Sequence, residues 1–175
     1  MSTELGVSRN IIKEVVGEFV RHQLPNLGQW VRSRRKRLAE DLRTPPESLR
    51  TFSTGEADPY TSTILFKLDQ HPYELIVRTK MGDVPDMGPA TLEPINGSRQ
   101  AIRRRILYSY LEYALPELQN WLDVNINTVA GRVRAHPDSL RALVTANPAI
   151  FPYRQPLIFT WSDYTIELIA RAKSS

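Results

Sequence analysis

Residues 117–134 read ELQNWLDVNINTVAGRVR, and the interpretation of the chain turns on them. Leu118 and Leu122 stand four apart, as do Val129 and Val133, so each pair lies on one side of a helix. Between the pairs runs Asp123-Val124-Asn125-Ile126-Asn127. Asp and Asn tolerate the left-handed backbone of a sharp reversal, and Asn127, directly before Thr128 and Val129, is placed to cap the helix that follows. The stretch predicts two short helices joined by a tight polar corner. An ordinary helix–helix junction satisfies the same pattern.

Working outward toward the C-terminus, His136-Pro137 breaks the second helix. Asp138 is expected to cap a short helix carrying Leu140 and Leu143, which Asn147-Pro148 ends. The apolar period then changes to two. Leu157, Phe159 and Trp161 alternate, as do Tyr164, Ile166, Leu168 and Ala170, with Ser162-Asp163 between the runs. This is a β-hairpin, and its large apolar faces belong in a core because exposing them would be costly.

Upstream of the corner, Ser98 is expected to cap a helix with Ile102, Ile106, Leu107, Tyr110, Leu111 and Leu115 on its apolar face. Arg103, Arg104 and Arg105 form a basic cluster on it, and Pro116 suits the first turn of the next helix. Further back, residues 81–97 hold three prolines and three glycines and read as a long loop and a domain boundary. Asp83, Asp86 and Glu93 in that loop could gather a hard cation, but they lack the dense alternating oxygen ligands of a calcium loop and read better as solvated.

The N-terminal half begins with Ser8 as a helix cap and Ile11, Ile12, Val15, Val16, Phe19 and Val20 at helical spacing. Pro25 ends that helix. A second one carries Leu27, Trp30, Val31, Leu38 and Leu42 until Thr44-Pro45-Pro46 stops it. Within it, Arg32, Arg34, Arg35, Lys36 and Arg37 put five cations into six residues, which repel one another unless an anion lies nearby or the face is solvated and partly neutralised by Glu40 and Asp41. A turn-rich linker over 52–60 leads to a hairpin of strands 61–68 and 73–80, with Ile64, Phe66 and Leu68 facing Tyr73, Leu75, Val77 and Thr79. A hairpin with acidic residues invites comparison with metal-dependent nucleases. That comparison fails, because Asp69 falls in the turn and Glu74 is not followed by Lys two places on.

The expected fold is therefore α+β: an N-terminal helix pair with a hairpin over 1–97, then a helical cluster ending in a C-terminal hairpin over 98–175, either separate or packed as one compact domain. No internal repeat or low-complexity tract stands out. At 175 residues, 41% apolar and 24% charged, the chain can bury one substantial core or two small ones. No apolar run approaches a membrane span, and the N-terminus lacks a signal-peptide pattern, so the expected location is the cytoplasm or an assembled particle. The absence of cysteine excludes disulfides, thiol catalysis and thiolate zinc sites. His22, His71 and His136 lie far apart, no glycine-rich phosphate loop follows a strand, and no catalytic residue, metal or cofactor is expected. The net charge of +4 is modest and matters only where it clusters.

At the corner, LDVNINTV resembles the L-G-V-S-x-x-T-V core of the helix-turn-helix superfamily, with Leu122, Val124 and Val129 on the matching apolar positions. The chain departs from that core with Asp123 where the family usually has Gly, and with Gln119 where it has a small residue. The resemblance implies that the second corner helix turns Asn125, Asn127, Thr128, Gly131 and Arg134 outward, with Arg132 on the flank, toward the groove of duplex DNA. The two basic clusters would then hold phosphate. The C-terminal hairpin would occupy the place of a winged-helix wing, although a short helix intervenes. The leading expectation is a small non-enzymatic nucleic-acid-binding protein. The alternative is an assembly or adaptor subunit of a multi-subunit viral or bacterial particle, meeting protein neighbours or further copies of itself, with no membrane partner.

Overall fold

The computed structural model describes residues 2–54, 63–81, 99–144, 147–151 and 156–173. Helix α1 spans Ser2–Gln23, starting six residues before Ser8, so Ser8 is a helical residue and not the cap. The apolar positions Ile12, Val15, Val16, Phe19 and Val20 are all fully buried, which accounts for the amphipathic spacing. Pro25 sits in a single 3-10 turn, Leu24–Asn26, that re-aims the chain into α2, Leu27–Ser33. The second N-terminal helix is not continuous. Arg34 leaves helical geometry at φ −115°, and α3 continues from Arg35–Leu42.

A hairpin follows, with β1 Ile64–Leu68 and β2 His71–Met81. The turn is Asp69-Gln70 alone, both at positive φ, shorter than the four-residue connection expected. Then comes α4, Arg99–Ala114, a 3-10 turn at Leu115–Glu117, α5 Leu118–Val124, α6 Ile126–Val133 and α7 Pro137–Leu143. The corner between α5 and α6 is one residue, Asn125, at φ −110°, rather than the five-residue span expected. Asn127 lies inside α6, and Asn125 occupies the cap position without a side-chain capping bond. On α7 the cap is His136, whose Nδ1 accepts from the Asp138 amide at 3.1 Å; Asp138 itself is in the first turn. Strands β3 Ala149–Phe151, β4 Leu157–Trp161 and β5 Tyr164–Ala172 complete the fold. Ser98 and the loop residues Asp83, Asp86 and Glu93 lie outside the described residues.

The chain is a tandem repeat of one unit, contrary to the expectation that none exists. Through the helices the spacing is 91 residues, Leu24 matching Leu115, and through the hairpins 93, Ile64 matching Leu157. Residues 24–50 and 115–141 are identical at 10 of 27 positions, including Leu-Pro at the 3-10 turn, Trp30 and Trp121, Arg43 and Arg134, and Ser48-Leu49-Arg50 and Ser139-Leu140-Arg141. The backbone repeats as closely as the residues. Arg34 and Asn125 each donate their amide to the carbonyls three and four residues back, and each carbonyl receives the amide four residues on at 2.9 Å. Arg43 and Arg134 both adopt the left-handed conformation, φ 53° and 57°, that closes a helix C-terminus. The next amide in each case bonds back to Ala39 or Ala130.

All five strands form one antiparallel sheet in the order β1-β2-β5-β4-β3. The β2–β5 register places Ile76 opposite Ile169, two residues that are each other's counterparts in the repeat, so an approximate two-fold axis passes between them. Either side of that axis Glu74 faces Arg171 and Arg78 faces Glu167, the same charge pair twice. Glu74 also reaches Lys173 at 4.0 Å.

One sheet face is packed under the helices. Ile64, Phe66, Leu68, Tyr73, Leu75 and Val77 from the first hairpin are buried there, as are Leu157, Phe159, Trp161, Ile166, Leu168 and Ala170 from the second. The C-terminal hairpin thus belongs to the core, as its alternation predicts, and β5 is a central strand paired on both sides. The helical layer is exchanged between halves. Trp30 of α2 meets Tyr110 of α4 edge-on at 5.3 Å, and Trp121 of α5 meets Phe19 of α1 edge-on at the same 5.3 Å. Each corner therefore rests on the long helix of the other half, and residues of both halves share one buried cluster.

Candidate functional site

The cations anticipated from sequence are dispersed in role. In the first corner, Arg32 donates to the Phe52 carbonyl beside Gly28, where an added Cβ would lie 3.2 Å from that oxygen. Arg32 is thus partly a strut tying α2 to the segment before β1. The Arg34 guanidinium lies 5.3 Å from the Trp30 ring and 4.7 Å from the Tyr113 ring, a cation–π seat between the halves. Arg35 is half-buried, while Lys36 and Arg37 are exposed. No carboxylate among the described residues lies within ion-pair distance of any of the five.

The second corner is chemically different on the same backbone. Asp123, Val124, Asn125, Ile126, Asn127 and Thr128 stand where Arg32, Ser33, Arg34, Arg35, Lys36 and Arg37 stand in the first. The amide of Asn125 points inward, with its Nδ2 donating to the Trp121 carbonyl at 2.8 Å, so it is committed to closing its own helix. Asn127, Thr128, Gly131 and Arg134 face outward and are exposed, and none of the sheet covers them. Arg132 is held by Glu18 of α1 at 2.9 Å across the two halves. Val124 is 75% exposed at the tip, the most exposed large apolar residue described.

The second basic cluster is not a surface. Arg103 is 9% exposed, and Arg104 and Arg105 are half-buried with interactions of their own. Behind both corners, the Tyr110 hydroxyl donates at 3.0 Å to Gln23 at the end of α1. Burial, then the neighbouring Tyr113, raise the Tyr110 pKa above the ordinary tyrosine value, against a smaller lowering by the Asn26 side chain.

Sequence reasoning missed Tyr113 and the seat it makes for Arg34. The available signal was the four-residue spacing of Trp30 and Arg34, which puts them on one helix face. Among the described residues no group of His, Asp and Glu is placed to hold a metal, and no helix is long and apolar enough to cross a membrane. No family model, curated protein or solved structure matches the chain.

Proposed function

We propose that the chain is a non-enzymatic nucleic-acid-binding protein that holds the phosphate backbone of duplex DNA chiefly with its first corner. The observation that carries this reading is the contrast between matched segments. The second corner keeps the same break, closing bonds and apolar positions with no cation at the six matched positions, so the corner backbone forms without them; Arg32 and Arg34 also brace the first half, whereas Lys36 and Arg37 are simply exposed. Clustered like charge on a short helix is unfavourable by a few tenths of a kcal/mol per pair, and a phosphate backbone offsets that cost. Base contact is the smaller part. With Asn125 turned inward and Arg132 tied to Glu18, the outward face of α6 retains Asn127, Thr128 and Arg134. That set supports limited readout beside sequence-tolerant phosphate binding.

The test is fluorescence anisotropy with a labelled 20-base-pair duplex across a sodium chloride series. Wild type is expected to bind with a steep salt dependence. Lys36→Asn with Arg37→Thr, the residues of the matched positions, should weaken binding about tenfold or more and flatten the salt slope by about two. Arg132→Ala should change affinity little. Wild-type binding that is absent or indifferent to salt would overturn the reading.

A second reading, a subunit that docks on protein neighbours, draws on the outer sheet face. There Leu65, Ile76, Ile158 and Ile169 are half-buried among the Glu–Arg pairs. It predicts salt-insensitive self-association or assembly with no duplex affinity, read by light scattering on the same samples.

A further inference from the structure

Between the end of α3, the β1–β2 turn and the first two turns of α4 lies a cleft of about 450 Å³. Arg99 and Arg103, four residues apart on α4, line one wall. Thr44, Ser48 and His71 also line the cleft, with Asp69 in the β1–β2 turn. Leu49, Phe52, Ile102 and Ile106 supply the apolar lining.

Arg103 is the anomaly. A guanidinium has five N–H donors and retains its charge at any ordinary pH, so burying it without an anion is expensive. Arg103 is nine-tenths buried, yet among the described residues its hydrogen bond is to the Tyr73 hydroxyl at 3.4 Å, near the limit of such a bond. Arg99 has no ion pair among those residues either, and two like charges four apart on a helix repel. They sit in the first turns of a 16-residue helix, where the backbone adds further positive potential.

The other half shows what the architecture requires here. The counterpart of Arg103 is Ile12, fully buried, and the counterpart of His71 is Tyr164, also buried. Apolar residues therefore satisfy the matched positions, and the arginine is an addition to this half.

We propose that the cleft binds a small organic anion, a phosphate or carboxylate group carried on an apolar body. The anionic head pairs with Arg103 and Arg99 and accepts from the Thr44 hydroxyl, while the Ser48 hydroxyl, 3.0 Å from it, donates to the Pro45 carbonyl at 2.7 Å. The body rests on Leu49, Phe52, Ile102 and Ile106. Asp69 repels the head, so two guanidiniums act against one carboxylate. It also favours a ligand that presents a hydroxyl donor beside the head. The site is separate from the first corner and does not depend on the nucleic-acid reading.

Isothermal titration calorimetry on the full chain at constant ionic strength tests it with three probes: inorganic phosphate, phenyl phosphate and benzoate. Saturable binding of phenyl phosphate or benzoate is expected, and whichever binds tighter identifies the head group. Inorganic phosphate should bind about tenfold more weakly than phenyl phosphate. Arg103→Ile, copying Ile12, should lose about tenfold or more in affinity while melting no lower than wild type. Arg99→Ser, on the exposed rim, should weaken binding severalfold and decides the matter if the Arg103 variant does not fold. The Lys36→Asn, Arg37→Thr variant should bind the probes as wild type does. No saturable binding of any probe, undiminished binding by the Arg103 and Arg99 variants, or loss of binding in the corner variant would each overturn the proposal.

Discussion

Over residues 24–50 and again over 115–141 the chain builds one shape twice and gives the two copies different chemistry. The first corner has five cations in six residues; the second, on the same backbone, has one acid, two asparagines and an exposed valine. What they share is what the fold needs: the Leu-Pro turn, the tryptophan, the one-residue break, the buried Leu38 or Val129 after it, and the left-handed arginine that closes the last turn. Of what differs, Arg32, Arg34 and Asn125 are tied into the structure, while Lys36, Arg37, Asn127 and Thr128 are exposed. A repeat of this kind is an internal control, separating residues that hold the structure from residues that use it.

The comparison is broken most directly at the tryptophans. If each corner is held by the opposite long helix, Trp30→Ala and Trp121→Ala should each cost about 2–4 kcal/mol in denaturant unfolding, by loss of buried area and the edge-on ring contact. Trp30→Ala should also release Arg34 from its seat. A loss below about 1 kcal/mol at either position would mean that the exchange of corners contributes little.

The glycines sharpen it. Gly28 and Gly131 both lie in corner helices, yet Gly131 opens on empty space while a Cβ at Gly28 would meet the Phe52 carbonyl and the Ser53 Cα at 3.2 and 3.3 Å. Gly131→Ala should stabilise the protein by about 0.5–1 kcal/mol, and Gly28→Ala should destabilise it by a comparable amount. The same sign for both in thermal melts would show that the corners are not packed as described.

The smallest effect is at Tyr110, whose counterpart Phe19 has no hydroxyl. Because the folded state raises its pKa, the associated stability is fully present below the ordinary tyrosine value and is lost as pH rises through the elevated one. Wild type should lose stability in that alkaline window more steeply than Tyr110→Phe. Parallel pH profiles would remove Tyr110 from the account.

Much of this architecture was legible from residue pattern. The alternation of Ile64, Phe66 and Leu68, and of Leu157, Phe159 and Trp161, identifies both hairpins, and the spacing of Val15, Val16 and Phe19 identifies α1. The duplication was not legible by the same route. The matched segments differ most at residues 32–37 and 123–128, where the eye is drawn to arginines in one and to asparagines in the other. Residue pattern alone thus makes the first one long basic helix and the second a corner. Capping rules misled for a related reason: neither Arg34 nor Asn125 makes a side-chain N-cap bond to the helix that follows, and the Asn125 side chain instead closes the helix before it. The cleft at Arg103 was invisible because a buried arginine on α4 reads as one more member of a basic run.

The pairing of Ile76 with Ile169 has a consequence for the chain as a polymer. A strand whose partner is its own repeat is self-complementary, so β2 carries on its edge the instructions for docking a second hairpin of the same kind in the opposite direction. The protein is in effect a symmetric dimer tethered into a single polypeptide. That tether lets the two halves differ in surface chemistry while neither can leave the other.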